Sequence, residues 1–158
     1  MPETKTTTTT TATATANTQA SLSTSIPARG KVTGSKDGVV VFAPGGTNYE
    51  LHLVAPNYSG PVGPLVEGIV RVKARKIWTV PSGGNFISPI FGPPRTIQGR
   101  VRALDERTIV VQASLPIAVD LPESDAAIDL VNGPISVGVM VNVVALPGAR
   151  FEPVRRPV

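Results

Sequence analysis

The sequence contains no cysteine and only one histidine among its 158 residues. The absence of cysteine excludes disulfides, thiolate metal sites and cysteine nucleophiles. Aromatic residues make up 4% of the chain while apolar residues reach 41%, so a folded core has to be built mainly from aliphatic side chains. No apolar run is long enough to form a membrane-spanning helix, and no apolar segment follows Lys5 as in a secretory signal. We therefore expect a soluble protein that does not enter a membrane and has a cytoplasmic location.

Catalytic patterns are also missing. The sequence has no phosphate-binding glycine loop, no zinc-ligand spacing and no nucleophile elbow. The only histidine, His52, falls on the polar side of a predicted strand, where we interpret it as an exposed surface residue. Asp125 and Asp129 lie one helical turn apart and are interpreted as a solvated pair rather than a cation site. The sequence thus predicts a protein that is not an enzyme and has no catalytic residues, metal site or cofactor.

Short apolar runs separated by turn residues dominate what is present. The chain has 15 glycines and 16 prolines, and the runs between them are rich in Val, Ile and Leu, which is typical of an all-β protein. Asp37-Gly38 between two such runs predicts a tight hairpin. Tyr49, Leu51 and Leu53 alternate with polar residues, which predicts a strand with one buried face.

An internal repeat is the strongest pattern in the sequence. The segment GKV at Gly30 resembles GRV at Gly99, and VVVFA at Val39 resembles IVVQA at Ile109. Matches continue at Tyr49–Leu51 with Val119–Leu121, at Gly63–Leu65 with Gly133–Ile135, and at Gly68-Ile69 with Gly138-Val139. The two copies align without a gap from Gly38 onward if the second hairpin turn is one residue longer than the first.

Each copy is interpreted as three strands, a loop and a longer fourth strand. In the second copy the loop contains a segment that can form one helical turn capped by Ser124. This order resembles an OB-like barrel, and an SH3-like barrel or one barrel formed by interlocking both copies is nearly as compatible. The predicted fold is therefore all-β, with two tandem copies of a small OB-like or SH3-like β-barrel unit behind a disordered tail.

Five segments follow from the composition. We predict a disordered Thr/Ala-rich tail at 1–27, a first β-unit at 28–81, a Pro/Gly-rich apolar connecting loop at 82–96, a second β-unit at 97–153 and a basic C-terminal tail at 154–158. The first tail has too few apolar residues to offset its ordering entropy. Its alternative role is an arm that adds a strand to the sheet edge of a partner.

The connecting loop is unusually apolar for a linker, because it contains Phe86, Ile87, Ile90 and Phe91. Two interpretations remain: these side chains fill the seam between the two units, or they contact a partner protein. The first function hypothesis is therefore a non-enzymatic structural or protein-interaction protein. Its expected partner is a protein, either another copy of this chain or a different subunit.

A basic strand supports a second hypothesis. The net charge is +4, and cationic residues gather near the only tryptophan. The candidate nucleic-acid-binding residues are Arg71, Lys73, Arg75, Lys76, Trp78, Arg100 and Arg102. OB-type barrels hold single-stranded nucleic acid with cations on the backbone and aromatic rings against the bases. The plainer interpretation is a solvated strand face that prevents edge aggregation.

Overall fold

The computed structural model describes residues 26–56 and 58–154, and it shows an all-β protein. Twelve strands join in one large mixed sheet. They are β1 (Ala28–Lys36), β2 (Val39–Pro44), β3 (Glu50–Val54), β4 (Leu65–Val80), β5 (Phe86–Ser88), β6 (Phe91–Gly92), β7 (Thr96–Leu104), β8 (Thr108–Gln112), β9 (Pro116–Asp120), β10 (Ile128–Asp129), β11 (Met140–Ala145) and β12 (Arg150–Pro153). Nearly all of the predicted 1–27 tail, and the C-terminal tail after Val154, lie outside the described residues.

Two local predictions are confirmed. Asp37 and Gly38 have positive φ values of 56° and 78°, and they turn the chain between β1 and β2 as a tight hairpin. A 3₁₀ turn at Asp125–Ala127 begins at Ser124, whose side chain accepts a hydrogen bond from the Ala126 N–H. Within the described ranges, no helix is long and apolar enough to cross a membrane.

The strand pairings form two closed circuits, and β4 belongs to both. In the first circuit, β1 pairs with β2 and β4, β2 pairs with β3, β3 pairs in parallel with β12, and β12 pairs with β4. In the second, β7 pairs with β8 and β11, β8 pairs with β9, β9 pairs in parallel with β4, and β4 pairs with β11. The first circuit therefore combines β1–β4 with the distant strand β12, whereas the strands of the second circuit all lie within residues 65–145.

The long strand β4 is the element that joins the two circuits. It has 16 residues, and its middle is paired at both edges, with Val70 opposite Phe151 at one edge and opposite Ile117 at the other. A bulge falls between Ala74 and Lys76, where the register with β11 shifts. The bulge leaves Arg75 and Lys76 both exposed, because it interrupts the strict alternation of a strand.

The first hairpin of each circuit has the same register. Val32 lies opposite Phe42 directly before a bulge, and Val101 lies opposite Val111 directly before a bulge. With these positions matched, both hairpins turn through two residues, the second through Glu106-Arg107. The longer second turn that an ungapped alignment requires is absent from the structure.

The third strands also match at a different spacing than the sequence alignment suggested. Leu51 lies opposite Phe42 in the first circuit, and Ile117 lies opposite Val111 in the second. Leu51 therefore corresponds to Ile117 rather than to Leu121. The reason is a shorter β8–β9 connection, and a loop of changed length moves every later position in the alignment.

One apolar cluster runs through both circuits. Its members are mostly Val, Ile, Leu and Ala, as the composition predicted. The exceptions are Phe42 and Phe151, whose ring centroids lie 4.8 Å apart and which are both buried. Phe151 belongs to β12, so the end of the described chain supplies part of the core of the first circuit.

The predicted connecting loop at 82–96 is a strand-bearing segment. Its β5 pairs with β7, and its β6 pairs in parallel with β3. Ile87, one of the candidate partner contacts, is buried in the core instead. It is only 2% exposed and lies opposite Ile97, because alternation along β5 turns this side chain into the core while its neighbours point outward.

Candidate functional site

The connecting segment is held at both ends by hydrogen bonds. Besides the β5–β7 and β6–β3 pairings, the Ile87 N–H donates to the Tyr49 hydroxyl at 3.1 Å. The Glu50 N–H donates to the Ile90 carbonyl at 2.9 Å. Tyr49 also packs against the core, so the segment is fixed to both circuits rather than strung between them.

The remaining apolar side chains of this segment point to solvent. Phe86 is 36% exposed, Ile90 57% and Phe91 64%. The interpretation that the segment fills a seam therefore fits Ile87, and the interpretation that it contacts a partner fits the other three residues. Ile87 fills the core, and Phe86, Ile90 and Phe91 form an exposed set that we call the apolar segment surface.

The basic strand is partly neutralised. The Arg71 guanidinium lies 3.0 Å from the Asp120 carboxylate and 3.5 Å from that of Glu152, which ties β4 to β9 and β12. Asp120 also accepts a hydrogen bond from the Thr108 hydroxyl at 3.0 Å. Arg71 therefore joins neighbouring strands, and the two carboxylates offset its positive charge. This weakens its assignment as a nucleic-acid contact.

Three further cations of β4 are exposed. Lys73, Arg75 and Lys76 point to solvent, and the Lys76 ammonium lies 5.8 Å from the centre of the Trp78 ring. This distance fits a cation–π contact. Lys76 and Trp78 are brought onto one outer face by the bulge at Arg75, so the structure does place these two candidates together.

The two arginines of β7 lie apart from that group. In the sheet order β11 separates β7 from β4. The Arg100 guanidinium donates to the Gly138 carbonyl at 2.9 Å, and that of Arg102 donates to the Gln112 side chain at 2.9 Å. Both side chains remain exposed, but each is oriented by a neighbouring loop or strand.

A cleft that the sequence did not predict lies between the two circuits. It has a volume of about 590 Å³. It is lined by Val39, His52, Val54, Pro93, Pro94, Arg95, Thr96, Val144, Ala145, Pro147, Gly148 and Ala149. His52 is therefore not a plain surface residue, because it is half-buried in the wall of this cleft. The sequence signal was the pair of proline-containing breaks at Pro93-Pro94 and Pro147-Gly148.

Titratable groups offer little chemistry elsewhere. Within residues 26–56 and 58–154, no group of three or more His, Asp or Glu side chains is placed to hold a metal ion. Asp125 and Asp129 are both exposed, and Asp129 accepts a hydrogen bond from the Val131 N–H. Desolvation raises the pKa of Tyr58, whose hydroxyl donates to the Pro61 carbonyl at 2.6 Å.

Comparison with protein-family models, with curated proteins and with solved structures finds no match.

Proposed function

We propose that this chain is a non-enzymatic protein-interaction module that contacts its partner through the apolar segment surface. The observation that carries the proposal is the exposure of Ile90 and Phe91, at 57% and 64%, on a backbone fixed by strand pairing at both ends. Single exposed apolar residues are common on protein surfaces. Three large ones within one short segment are less common, and aromatic anchors are enriched where partners bind.

The fixed backbone adds to the case. A flexible loop loses conformational entropy when it docks, whereas a segment that is already ordered loses little. The contacts of Tyr49 and Glu50 with the segment supply that order before any partner arrives. An apolar surface held in this way is suited to binding a protein.

The scaffold is interpreted as a pair of OB-like barrels that have exchanged their last strands. Support comes from the pairing order, in which strands one, two, three, five and four follow each other around each circuit and strands three and five are parallel. That order is the one found in OB folds, whereas SH3-like barrels are antiparallel throughout. Fold alone does not determine function, so this interpretation supplies a rigid frame and no partner.

The test uses a double variant, Ile90→Ser with Phe91→Ser. We expect it to keep the melting temperature of the wild type, because neither side chain is buried. We expect it to lose self-association in sedimentation velocity, or to lose partners identified by affinity capture with quantitative mass spectrometry. A matched control, Val131→Ser, removes an apolar side chain that is 77% exposed on another loop and should leave association unchanged.

Two results would overturn the proposal. One is a double variant that associates as the wild type does. The other is a wild type that neither self-associates nor captures any protein beyond those captured by the double variant. Ile87→Ser serves as the reference for core damage, because it should lower the melting temperature.

A nucleic-acid-binding module is the second candidate. It is favoured by Lys73, Arg75 and Lys76 beside Trp78 on β4. It is weakened by the pairing of Arg71 with two carboxylates and by the absence of Lys and Arg from β2, β3, β8 and β9, since strands two and three form the usual binding face of OB folds. Replacing the three cations by Glu should abolish binding of a labelled oligonucleotide at low salt if this candidate is right. A wild type that does not bind at low salt would eliminate it.

A further inference from the structure

The cleft between the two circuits arises from a difference between two corresponding stretches of chain. In β4 the residues that pair with β1 are followed closely by those that pair with β9, so a single unbroken strand runs from one circuit into the other. The corresponding stretch at the end of the chain is interrupted, because β11 ends at Ala145 and β12 begins at Arg150. Pro147 and Gly148, which has a φ of 98°, lie in this break and line the concave space.

The walls of this space are mainly apolar. Val39 and Val54 come from the first circuit, and Val144 and Ala145 come from the second. Proline rings from the connecting segment and from the β11–β12 connection complete the lining. A volume of about 590 Å³ lies within the range of small-molecule sites, which are typically apolar with a few polar groups.

The polar side chains of the cleft lining are those of Arg95, His52 and Thr96, and none of the described lining residues is acidic. The backbone of Arg95 is fixed on both sides, because its N–H donates to the Ser88 carbonyl at 2.9 Å and its carbonyl accepts from the Ala145 N–H at 2.8 Å. Its guanidinium makes no hydrogen bond or ion pair with any residue in the described part of the chain. Arg95 is exposed, so its unpaired guanidinium is available to the charged end of an apolar anion that enters the cleft.

We propose that the cleft binds a small alkyl carboxylate. The apolar chain would lie against Val39, Val54 and Val144, and the carboxylate would accept hydrogen bonds from the Arg95 guanidinium. An arginine fork suits a carboxylate because it donates two parallel hydrogen bonds. The His52 imidazole, on the wall formed by the first circuit, would donate a further hydrogen bond to the carboxylate. This site is separate from the apolar segment surface, so it stands or fails independently of the proposed protein interaction.

The experiment uses three probes with the same eight-carbon chain: octanoate, octanol and octylamine. Binding is measured by titration calorimetry, and chemical-shift changes in the full-length protein locate the site. We expect octanoate to bind more tightly than octanol, and octylamine more weakly than either. Arg95→Gln should weaken octanoate binding about tenfold or more and leave octanol binding within about twofold, because a bidentate charged contact is lost. Arg102→Gln removes an exposed arginine elsewhere and should change neither.

A second variant keeps the test independent of charge. Ala145→Phe places a ring in the cleft and should abolish the binding of all three probes, with folding checked by circular dichroism. If Ala145→Phe does not fold, Val54→Phe from the opposite wall replaces it. The proposal is overturned if octanoate and octanol bind equally, if Arg95→Gln leaves octanoate binding unchanged, or if octanoate shifts residues outside the cleft only. It is also overturned if octanoate does not bind at millimolar concentration.

Discussion

Two stretches of this chain make corresponding pairings in different ways. The strand β4 runs from Leu65 to Val80 without interruption and serves both circuits. The pair β11 and β12 makes the matching pairings in two pieces, with Leu146–Ala149 between them. The continuous stretch carries the Arg71 ion pairs at its centre, and the interrupted one leaves a cleft. A small change in strand continuity therefore decides whether a cleft remains between the two circuits.

An aromatic anchor compensates for the interruption. Phe151 in β12 lies opposite Val70, and the matching position in β4 is Ala74, opposite Ala145. We expect Phe151→Ala to lower the free energy of unfolding by about 3–5 kcal/mol, because it removes a buried ring that contacts Phe42. Ala74→Gly should cost only about 0.5–1 kcal/mol. Urea denaturation measures both, and equal losses would show that the anchor has no special role.

The first strands of the circuits allow a sharper comparison. A Cβ at Gly30 would lie 2.4 Å from the Ala43 carbonyl oxygen, and one at Gly99 would lie 2.2 Å from the Gln112 carbonyl oxygen. Both contacts are with backbone, so Gly30→Ala and Gly99→Ala should each destabilise the protein by about 1–3 kcal/mol.

Gly34→Ala is the matched control for those two changes. A Cβ at Gly34 meets nothing within 4 Å, and the matching position after the second bulge is already Ala103. We expect a change within about 0.5 kcal/mol. If Gly30→Ala and Gly99→Ala differ widely in thermal unfolding, the two hairpins are not equivalent.

The Arg71 ion pairs are expected to stabilise the centre of β4. Arg71→Met should cost about 1–2 kcal/mol, between the values for exposed and buried pairs, because the Arg71 side chain is 24% exposed and leaves Asp120 and Glu152 without it. Lys73→Met, which removes an exposed cation on the same strand, should have little effect. A double-mutant cycle with Asp120→Asn isolates the pair. Additive losses in that cycle would contradict an ion-pair role.

The smallest expected effect distinguishes two corresponding side-chain pairs. Arg29 and Glu67 form an ion pair at 3.4 Å in the first circuit, and at the matching positions Asn142 donates to Gln98 at 3.3 Å. The Asn142 Oδ1 is buried without a hydrogen-bond partner in the described structure. Asn142→Val should therefore raise stability by up to about 1 kcal/mol. Glu67→Val should lower it by about 0–1 kcal/mol, since Arg29 is largely exposed. A clear loss from Asn142→Val in chemical denaturation would mean that the oxygen is satisfied in solution.

Local features could be predicted from the sequence because their causes are local. Turn residues gave the Asp37-Gly38 hairpin, an N-cap residue gave the turn at Ser124, and alternation gave the buried face of Leu51 and Leu53. All-β composition followed from the frequency of turns between Val-rich runs. In each case the decisive neighbours lie within a few residues.

Features that depend on distant partners could not be predicted. The sharing of β4 and the docking of β12 are set by which edges meet, and an internal alignment does not contain that information. The shortened β8–β9 connection also moved the true correspondence of the third strands away from the ungapped one. In the sequence Ile87 is indistinguishable from its apolar neighbours, and only the pairing of β5 with β7 shows that it is buried. Arg95 lines a cleft because four separate stretches of the chain meet there.

The sharing of strands between the two circuits affects how the chain can fold while it is being synthesised. A ribosome releases β1, β2, β3 and β4 early, yet the first circuit closes only through β12, the last strand in the described part of the chain. Until then the end of β3 near Val54 and the first half of β4 lack their β12 partner, and unpaired strand edges pair readily with other chains. A nascent chain that ends before Arg150 is therefore the form most exposed to pairing with another nascent copy. The second circuit can close once β11 has been made, whereas the first stays open until β12 arrives.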